Sequence, residues 1–386
     1  MFSIPEVPEK QRPMLTFLLV LTIASIGGLQ GWRTLFNNFA VESAGLNGQQ
    51  IGVVQSVREI PGFLALFAVW VMLLIREHKL SALSIIIMGF GVASVGFYPT
   101  YLGLCATTII LSFGFHYYET TNQSLTLQYF DTATSPIVFA AIRSVSAATN
   151  IAMGILVYLL SYVADYKVVF LLIGLAAAGA GIWGLMVNPV DHEIIPQRKE
   201  MVFRKRYMLF YFLTFMSGAR RQIFIAFSVF LLVKVFEFSV REIAVLFVVN
   251  NIVAYFTSPL IGKAILRFGE RRVLSVEYAG LIFIFIAYAV TGSRWVAALL
   301  YIADHLLFNF AIAIRTFFQK TADPSDIAPS MAVGFTINHI AAVVLPVVGG
   351  ALWVIDYRIP FIAGAVMSVV SLIAVQRIPD FTKAGG

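Results

Sequence analysis

The chain has 386 residues, of which 59% are hydrophobic and only 12% are charged. Soluble domains carry about 25% charged residues, so this composition excludes an ordinary soluble protein. The single cysteine, Cys105, excludes an internal disulfide and a cysteine metal cluster. A formal charge of +7 would fit a nucleic-acid partner, which makes the placement of the basic residues decisive.

Apolar stretches follow one another along the chain, each close to the roughly 20 residues that cross a bilayer as a helix. The first follows Lys10 and Arg12, but it is about 27 residues long, and Trp32 and Arg33 stand where a signal peptide would be cleaved. It is therefore predicted as a retained helix. The stretches fall at roughly 14–40, 48–75, 80–99, 101–128, 136–164, 166–188, 205–234, 239–267, 272–291, 294–320, 327–355 and 359–377. They predict an all-α membrane protein with 12 transmembrane helices.

A charged segment with Pro189 and Pro196 separates six predicted helices from the next six. We predict an N-terminal bundle over 1–188, a cytoplasmic linker over 189–205 and a C-terminal bundle over 206–386. With both termini cytoplasmic, 16 of the 27 Lys and Arg lie at cytoplasmic helix ends and 5 in outer loops. Such an excess orients membrane helices, so insertion in a cell (inner) membrane explains the basic charge. No nucleic-acid partner is expected.

The two halves repeat each other at a shift near 192 residues. Residues 46–52 align with residues 238–244, and Asp131 falls on Asp323. Because each half has an even number of helices, the halves are parallel repeats, and a binding site is expected between them.

This organisation resembles the major facilitator superfamily over essentially the whole chain. In the loop between predicted helices 8 and 9, Gly262, Arg267, Gly269 and Arg271 match the superfamily's loop signature, with Leu266 in place of its aspartate. The resemblance implies two pseudo-symmetric six-helix bundles that transport by alternating access. It also implies a gating role for the four matching residues, because in the superfamily this loop helps to hold the outward-open state.

Ionisable residues inside the predicted helices are the main functional signal. A charge at bilayer depth costs several kcal/mol, so it should face a cavity or a partner. Predicted helices 3, 6 and 12 have no ionisable residue in their interiors, and helix 9 has only Glu277. In the resembled fold, helices 3, 6, 9 and 12 are the outer scaffold, which agrees with this distribution.

Arginines outnumber acids on the remaining helices, which predicts an anionic solute. Counting Arg143 and Arg315, the central cavity is expected to carry a charge of +3. Arginine stays charged and forms bidentate bonds to carboxylate and phosphate. Arg220 and Arg221 lie about 100° apart on one helix, so one is expected to bind solute and the other to pack against a neighbouring helix. The candidates for solute binding are Arg33, Arg58, Tyr117, Arg220, Arg221, Asn250, Asn251, Asn309, Asn338 and His339.

A buried carboxylate beside a movable positive partner is a workable proton switch, because desolvation and the neighbouring charge act in opposite directions on it. The candidates, in order, are Glu119, Glu59 and Asp304, with His116 one turn from Glu119. Each could instead form a permanent salt bridge.

The expected function is proton-coupled secondary transport of a small organic anion, by a lipid-embedded monomer. No phosphate-binding loop with a Gly-x-x-x-x-Gly-Lys pattern is present, so ATP is not expected to drive it. Neither a cofactor nor a metal is expected. A proton-driven exporter of drugs or metabolites and a non-transporting sensor are the alternatives. A membrane enzyme would need a reactive constellation that the sequence does not offer, and no enzyme activity is expected.

Overall fold

The structure is a computed structural model that describes residues 7–46, 48–190, 197–198, 200–238 and 240–380. Helices dominate, and the described residues contain no strand. The α-helices are α1 (Arg12–Glu42), α2 (Gly48–Phe63), α3 (Ala68–Leu74), α4 (Glu77–Ser94), α5 (Tyr101–Tyr129), α6 (Ser135–Leu160), α7 (Tyr166–Met186), α8 (Met208–Gln222), α9 (Val229–Lys234), α10 (Val240–Phe268), α11 (Glu270–Val290), α12 (Arg294–Phe308), α13 (Ile312–Thr321), α14 (Ile327–Ile355) and α15 (Arg358–Val375).

Three predicted helices are interrupted in the structure. A 3-10 turn at Leu64–Phe67 separates α2 from α3, and another at Asn309–Ala311 separates α12 from α13. A π segment, Ile223–Ser228, separates α8 from α9. Pro61 lies inside α2, three residues before the first interruption.

Nine helical stretches in the described residues are long and apolar enough to cross a membrane. They correspond to α1, α4, α6, α7, α8 with α9, α10, α11, α12 with α13, and α15. The chain is therefore a multi-pass membrane protein. A total of twelve crossings would also need α2 with α3, α5 and α14, and stays a prediction.

Two large hydrophobic cores form, one in each half of the chain. The first contains residues between Val7 and Val187. The second extends from Val202 to Ile378 and takes in only Leu127 and Phe139 from the first half. Each half thus packs around its own core, and the two cores meet mainly where α5 ends and α6 begins.

The described end of the predicted linker docks onto the C-terminal half. The Gln197 side chain donates to the Pro324 carbonyl at 2.8 Å, and the Arg198 backbone N–H donates to the Ser325 carbonyl at 2.8 Å. Arg198 also pairs with Asp326, Nε to Oδ1, at 2.7 Å. This stretch therefore belongs structurally with the start of α14.

Candidate solute-binding site

A cavity of about 700 Å³ lies between the two halves. Its lining comes from α1, α2, α5 and α6 on one side, and from α8 and α12 to α14 with the adjoining turns on the other. Among the described residues, none of those lining it belongs to α4, α7, α11 or α15. These four helices are the outer scaffold that the distribution of charges predicts.

The cavity lining is rich in arginine. Five guanidinium groups and two carboxylates face it, which gives a formal charge of +3 with neutral histidines. These residues are Arg33, Arg58, Arg143, Arg221, Arg315, Glu59 and Glu119. In a medium of low polarity, an excess of fixed positive charge favours an anionic ligand over a neutral or cationic one.

One charged group lies on α2. Arg58 and Glu59 form an ion pair, and Arg58 Nε donates to Gln55 Oε1 at 3.2 Å. Arg33 on α1 and Arg221 on α8 act electrostatically on Glu59 from either side of the cavity. Because Arg58 already has a carboxylate, Arg33 and Arg221 hold the excess charge at this end.

A second charged group surrounds Glu119 on α5. The guanidinium groups of Arg315, Arg221 and Arg143 are the charges that act on this carboxylate. None of the three arginines forms an ion pair with a described carboxylate. Arg143 Nε donates instead to Asn309 Oδ1 at 2.7 Å, across the boundary between the halves. Glu119 therefore sits among three guanidinium groups whose bonding capacity is largely free.

The adjacent arginines of α8 point in different directions. Arg221 lines the cavity, with its guanidinium carbon 5.5 Å from the centre of the Phe308 ring. Arg220 is 3% exposed and faces α11, where its Nη2 lies 3.7 Å from Glu277 Oε1. Arg220 is thus outside the cavity, and Asp304 is buried on the same side of α8.

The remaining candidates divide between lining and support. Asn338 and His339 line the cavity from α14. Tyr117 is outside the lining and its hydroxyl donates to the Leu64 carbonyl at 3.4 Å. Asn251 accepts a hydrogen bond from Asn150 at 3.0 Å, and joins α10 to α6. Asn250 is buried away from the cavity, and Asn309 supports Arg143 without lining it.

Glu59, His116 and His339 come together although no two histidines in the sequence have metal-ligand spacing. Their ligand atoms all lie within 4.8 Å of one another. The two imidazole rings meet edge to face at 4.8 Å, one from each half of the chain. His339 Nδ1 bonds to the Phe335 carbonyl at 2.9 Å, which leaves Nε2 directed toward Glu59 at 4.0 Å. The fold therefore offers a group of donors of the kind that can hold a divalent cation.

The four residues of the loop signature lie at the end of α10. A Cβ on Gly262 would stand 2.8 Å from the Pro136 carbonyl oxygen, so glycine permits the close approach of α10 to α6. Gly269 has φ of 78°, a conformation that favours glycine, and it turns the chain into α11. Arg267 lies over the Phe268 ring, and Arg271 Nε donates to Gln376 Oε1 at 3.2 Å. Of the four, only Gly262 contacts the other half in the described structure.

Sequence reasoning missed two residues that the structure brings forward. Glu277 is the lone acid in the interior of a scaffold helix, and that isolation was a usable signal. Gln319, near the end of α13, donates to the carbonyls of Leu127 at 2.7 Å and Phe130 at 2.5 Å in the other half. A glutamine near a helix end carries no such signal, because its partners are 192 and 189 residues away.

A charged cavity between two helical halves, within a chain of membrane-spanning helices, defines a solute transporter of the membrane. The family model described as Major Facilitator Superfamily matches residues 14–328. The protein therefore belongs to the major facilitator superfamily, whose members are transporters and not enzymes. The predicted family and the all-helical membrane fold are confirmed.

Solved structures of similar fold agree with this assignment. FucP, a transporter of the superfamily in the outward conformation, matches with a TM-score of 0.78 and 12% identity over 95% of this chain and 99% of that chain. A bacterial homologue of the iron transporter ferroportin, in an outward-facing state, matches with a TM-score of 0.77 and 12% identity over 94% of this chain and 98% of that chain. The human organic anion transporter MFSD10 matches with a TM-score of 0.72 and 12% identity over 96% of this chain and 100% of that chain. At this identity the likeness shows the fold alone. A search of curated protein sequences found no match.

Proposed function

We propose that the protein is a proton-coupled secondary transporter that moves a small organic anion by alternating access. The observation that carries the proposal is the cavity charge of +3, with four of the five guanidinium groups outside any ion pair with a described carboxylate. Arginine binds carboxylate and phosphate through paired, charge-assisted hydrogen bonds, and burial strengthens these bonds. MFSD10, which shares the fold, is an organic anion transporter.

The halves touch at one end of the cavity. Gln319 bonds to α5 and Arg143 to Asn309, and Leu66 N–H donates to the Thr336 hydroxyl at 2.9 Å. The predicted topology places this end in the cytoplasm, with both termini. We therefore propose that the structure is the outward-facing state, in an inner cell membrane.

The proposed anion site is tested by thermal unfolding of the purified full-length protein with a panel of carboxylates, phosphorylated compounds and neutral sugars. We expect an anionic compound to raise the unfolding temperature of the wild type. Arg221→Gln should weaken its binding roughly 10- to 150-fold, because a lost charge-assisted bond costs about 1.5–3 kcal/mol. Arg358→Gln, at the exposed first residue of α15, is the matched control and should leave binding unchanged. Stabilisation by neutral sugars alone, or equal loss in both variants, would contradict the proposal.

Proton coupling is assigned to Glu119. The solute anion and this carboxylate compete for Arg143, Arg221 and Arg315, so protonation of Glu119 frees the guanidinium groups for the solute. FucP, which shares the fold, is a fucose:proton symporter.

For the coupling step, we expect Glu119→Gln to abolish uptake driven by a pH gradient in proteoliposomes while exchange of internal for external solute continues. The variant mimics the protonated carboxyl, so it binds solute but cannot release a proton. The measurement uses the anion found in the stabilisation screen, with Glu42→Gln, an exposed acid at the end of α1, as control. Full gradient-driven uptake by Glu119→Gln would assign the proton to another group.

A second candidate function is the transport of a divalent metal cation, favoured by the cluster of Glu59, His116 and His339. The ferroportin homologue of similar fold is related to an iron transporter. The five arginines oppose a cation here, which is why we rank this function second. The same unfolding assay distinguishes them: stabilisation by Zn²⁺ or Co²⁺ that is lost in His339→Gln, without any effect of anions, would replace the first proposal.

A further inference from the structure

A second, smaller polar site lies inside the C-terminal half. Arg220 on α8, Glu277 on α11 and Asp304 on α12 surround a cavity of about 10 Å³, close to the space of one water molecule. Their exposed fractions are 3%, 1% and 2%. Phe224 and Leu281 complete the lining with apolar surface. The site is therefore enclosed and poorly solvated.

The hydrogen bonds of this site are incomplete. Arg220 Nη1 donates to the Ser371 hydroxyl on α15, and its guanidinium carbon lies 4.2 Å from the centre of the Tyr278 ring. Its Nε and Nη2 have no hydrogen-bond partner among the described residues, although Nη2 is 3.7 Å from Glu277 Oε1. Glu277 Oε2 and Asp304 Oδ2 are likewise without a described partner. Polar atoms buried in this way are costly unless a proton or a water completes the network.

The charges of this site do not balance if both carboxyl groups are ionised. One guanidinium faces two carboxylates, and an uncompensated charge at this depth costs several kcal/mol. Arg221 also borders the small cavity, but it faces the solute cavity, where Glu59 and Glu119 act on it. Arg220 is the cation that acts on Asp304.

Other titratable groups pack around the pair without changing the count. Tyr278 and Tyr288 of α11 and Tyr301 of α12 are buried phenols, which are neutral. The His305 ring packs on Phe224 at 5.8 Å and forms no ion pair with the two acids among the described residues.

We propose that Glu277 and Asp304 share one proton across Arg220, and that this occluded pair is a proton-carrying site separate from the solute cavity. One carboxyl is neutral and the other pairs with Arg220, so the enclosed site is uncharged overall. The small cavity shares Ser217, Arg221 and Phe308 with the solute cavity, which gives the proton a short path between them. The π segment Ile223–Ser228 begins two residues after Arg221, at a point where helices are often functionally deformable.

The proposal is tested by infrared difference spectroscopy of purified full-length protein, without any solute. The observable is the carbonyl stretching band of a protonated carboxylic acid, recorded at neutral pH and after a jump to alkaline pH. In the wild type we expect a band from this pair. In Glu277→Gln the remaining Asp304 pairs with Arg220 and ionises, and in Asp304→Asn the same holds for Glu277. Each single variant should therefore lose the intensity of one carboxyl, and the double variant should lose no more.

This lack of additivity is specific to a shared proton. If either single variant keeps the whole band, or if the double variant loses twice the intensity of a single one, the proposal is wrong. Arg220→Gln should change the band intensity in the opposite direction. Without the cation both carboxyls are neutral, so the band should gain the intensity of one carboxyl. Glu242→Gln, whose partly exposed carboxylate pairs with Arg294 at 2.6 Å, is the control and should leave the band unchanged. Because no solute is present, the result stands apart from the proposed anion transport.

Discussion

Replacing Gln319 with alanine is expected to separate the two halves at the end of the cavity where they touch, which is called the closed end below. The Gln319 side chain of α13 reaches across the boundary, where it donates to the Leu127 and Phe130 carbonyls and bonds to the Ser135 hydroxyl at 2.5 Å. The two carbonyls are at the end of α5, where a helix has no internal donor left for them. Gln319 of one half therefore caps the C-terminal end of α5 in the other half, and this contact stabilises the closed end.

The effect on the conformational equilibrium should be large. Leaving buried carbonyls without a donor costs about 1–3 kcal/mol, so a loss of about 2 kcal/mol shifts the ratio of the two states roughly 30-fold toward the state open at this end. Spin labels at Thr132→Cys and Lys263→Cys, in a Cys105→Ser background, report the separation of the halves by electron paramagnetic resonance. Both positions are exposed at the closed end.

The matched control for this experiment is Gln376→Ala. Gln376 is also a glutamine at the same end, but its bonds to Ser275 and Arg271 stay within the C-terminal half. It should leave the distance distribution unchanged. A Gln319→Ala protein with the wild-type distribution would show that this residue does not hold the closed end.

Replacing Asp326 with alanine is expected to cost about 1.5–3 kcal/mol of stability, because the variant loses the charge-assisted hydrogen bonds between a fully buried carboxylate and arginines that are 37–47% exposed. Asp326 is fully buried before α14 and receives Arg198 Nε at 2.7 Å, Arg204 Nε at 2.9 Å and the Tyr207 hydroxyl at 2.7 Å. Without the carboxylate, the arginines that anchor the linker end repel one another. The loss is measured as the free energy of unfolding in a denaturant titration of the detergent-solubilised protein.

Asp323, three residues earlier, provides the control. Its side chain is 43% exposed and pairs with Arg206, which is 47% exposed. Exposed pairs contribute at most about 1 kcal/mol, so Asp323→Ala should be nearly as stable as the wild type. Equal destabilisation by both substitutions would mean that the network around Asp326 does not carry the anchoring of the linker.

The membrane fold was predictable because it depends on local properties. Hydropathy and the segment lengths identify the helices, and the absence of charge identifies the scaffold helices α4, α7 and α15. Helical geometry also indicated that Arg220 and Arg221 diverge, since adjacent residues are about 100° apart. Which of them faces the cavity depends on the rotation of α8 against its neighbours, and hydropathy does not specify that rotation.

The same limit explains the site residues that the structure places elsewhere. Asn250 and Asn251 were predicted to bind solute, but α10 is rotated so that Asn251 meets α6 and Asn250 is buried away from the cavity. His116 and His339 meet only because α5 and α14 cross at the boundary. The position of a residue along its helix follows from the sequence. The direction in which its side chain points, and the residues that it contacts, depend on how the helices pack.

The division of the hydrophobic interior into two cores has a mechanical consequence. Since only Leu127 and Phe139 of the first half join the second core, most of the apolar interior of each half is buried within that half. Rocking therefore mainly rearranges the contacts between the halves, which include the packing of α6 on α10 and polar bonds such as that of Gln319 to the Leu127 carbonyl. Substitutions inside a core should therefore mainly change the stability of the protein. Substitutions at the boundary between the halves should mainly change the rate of turnover.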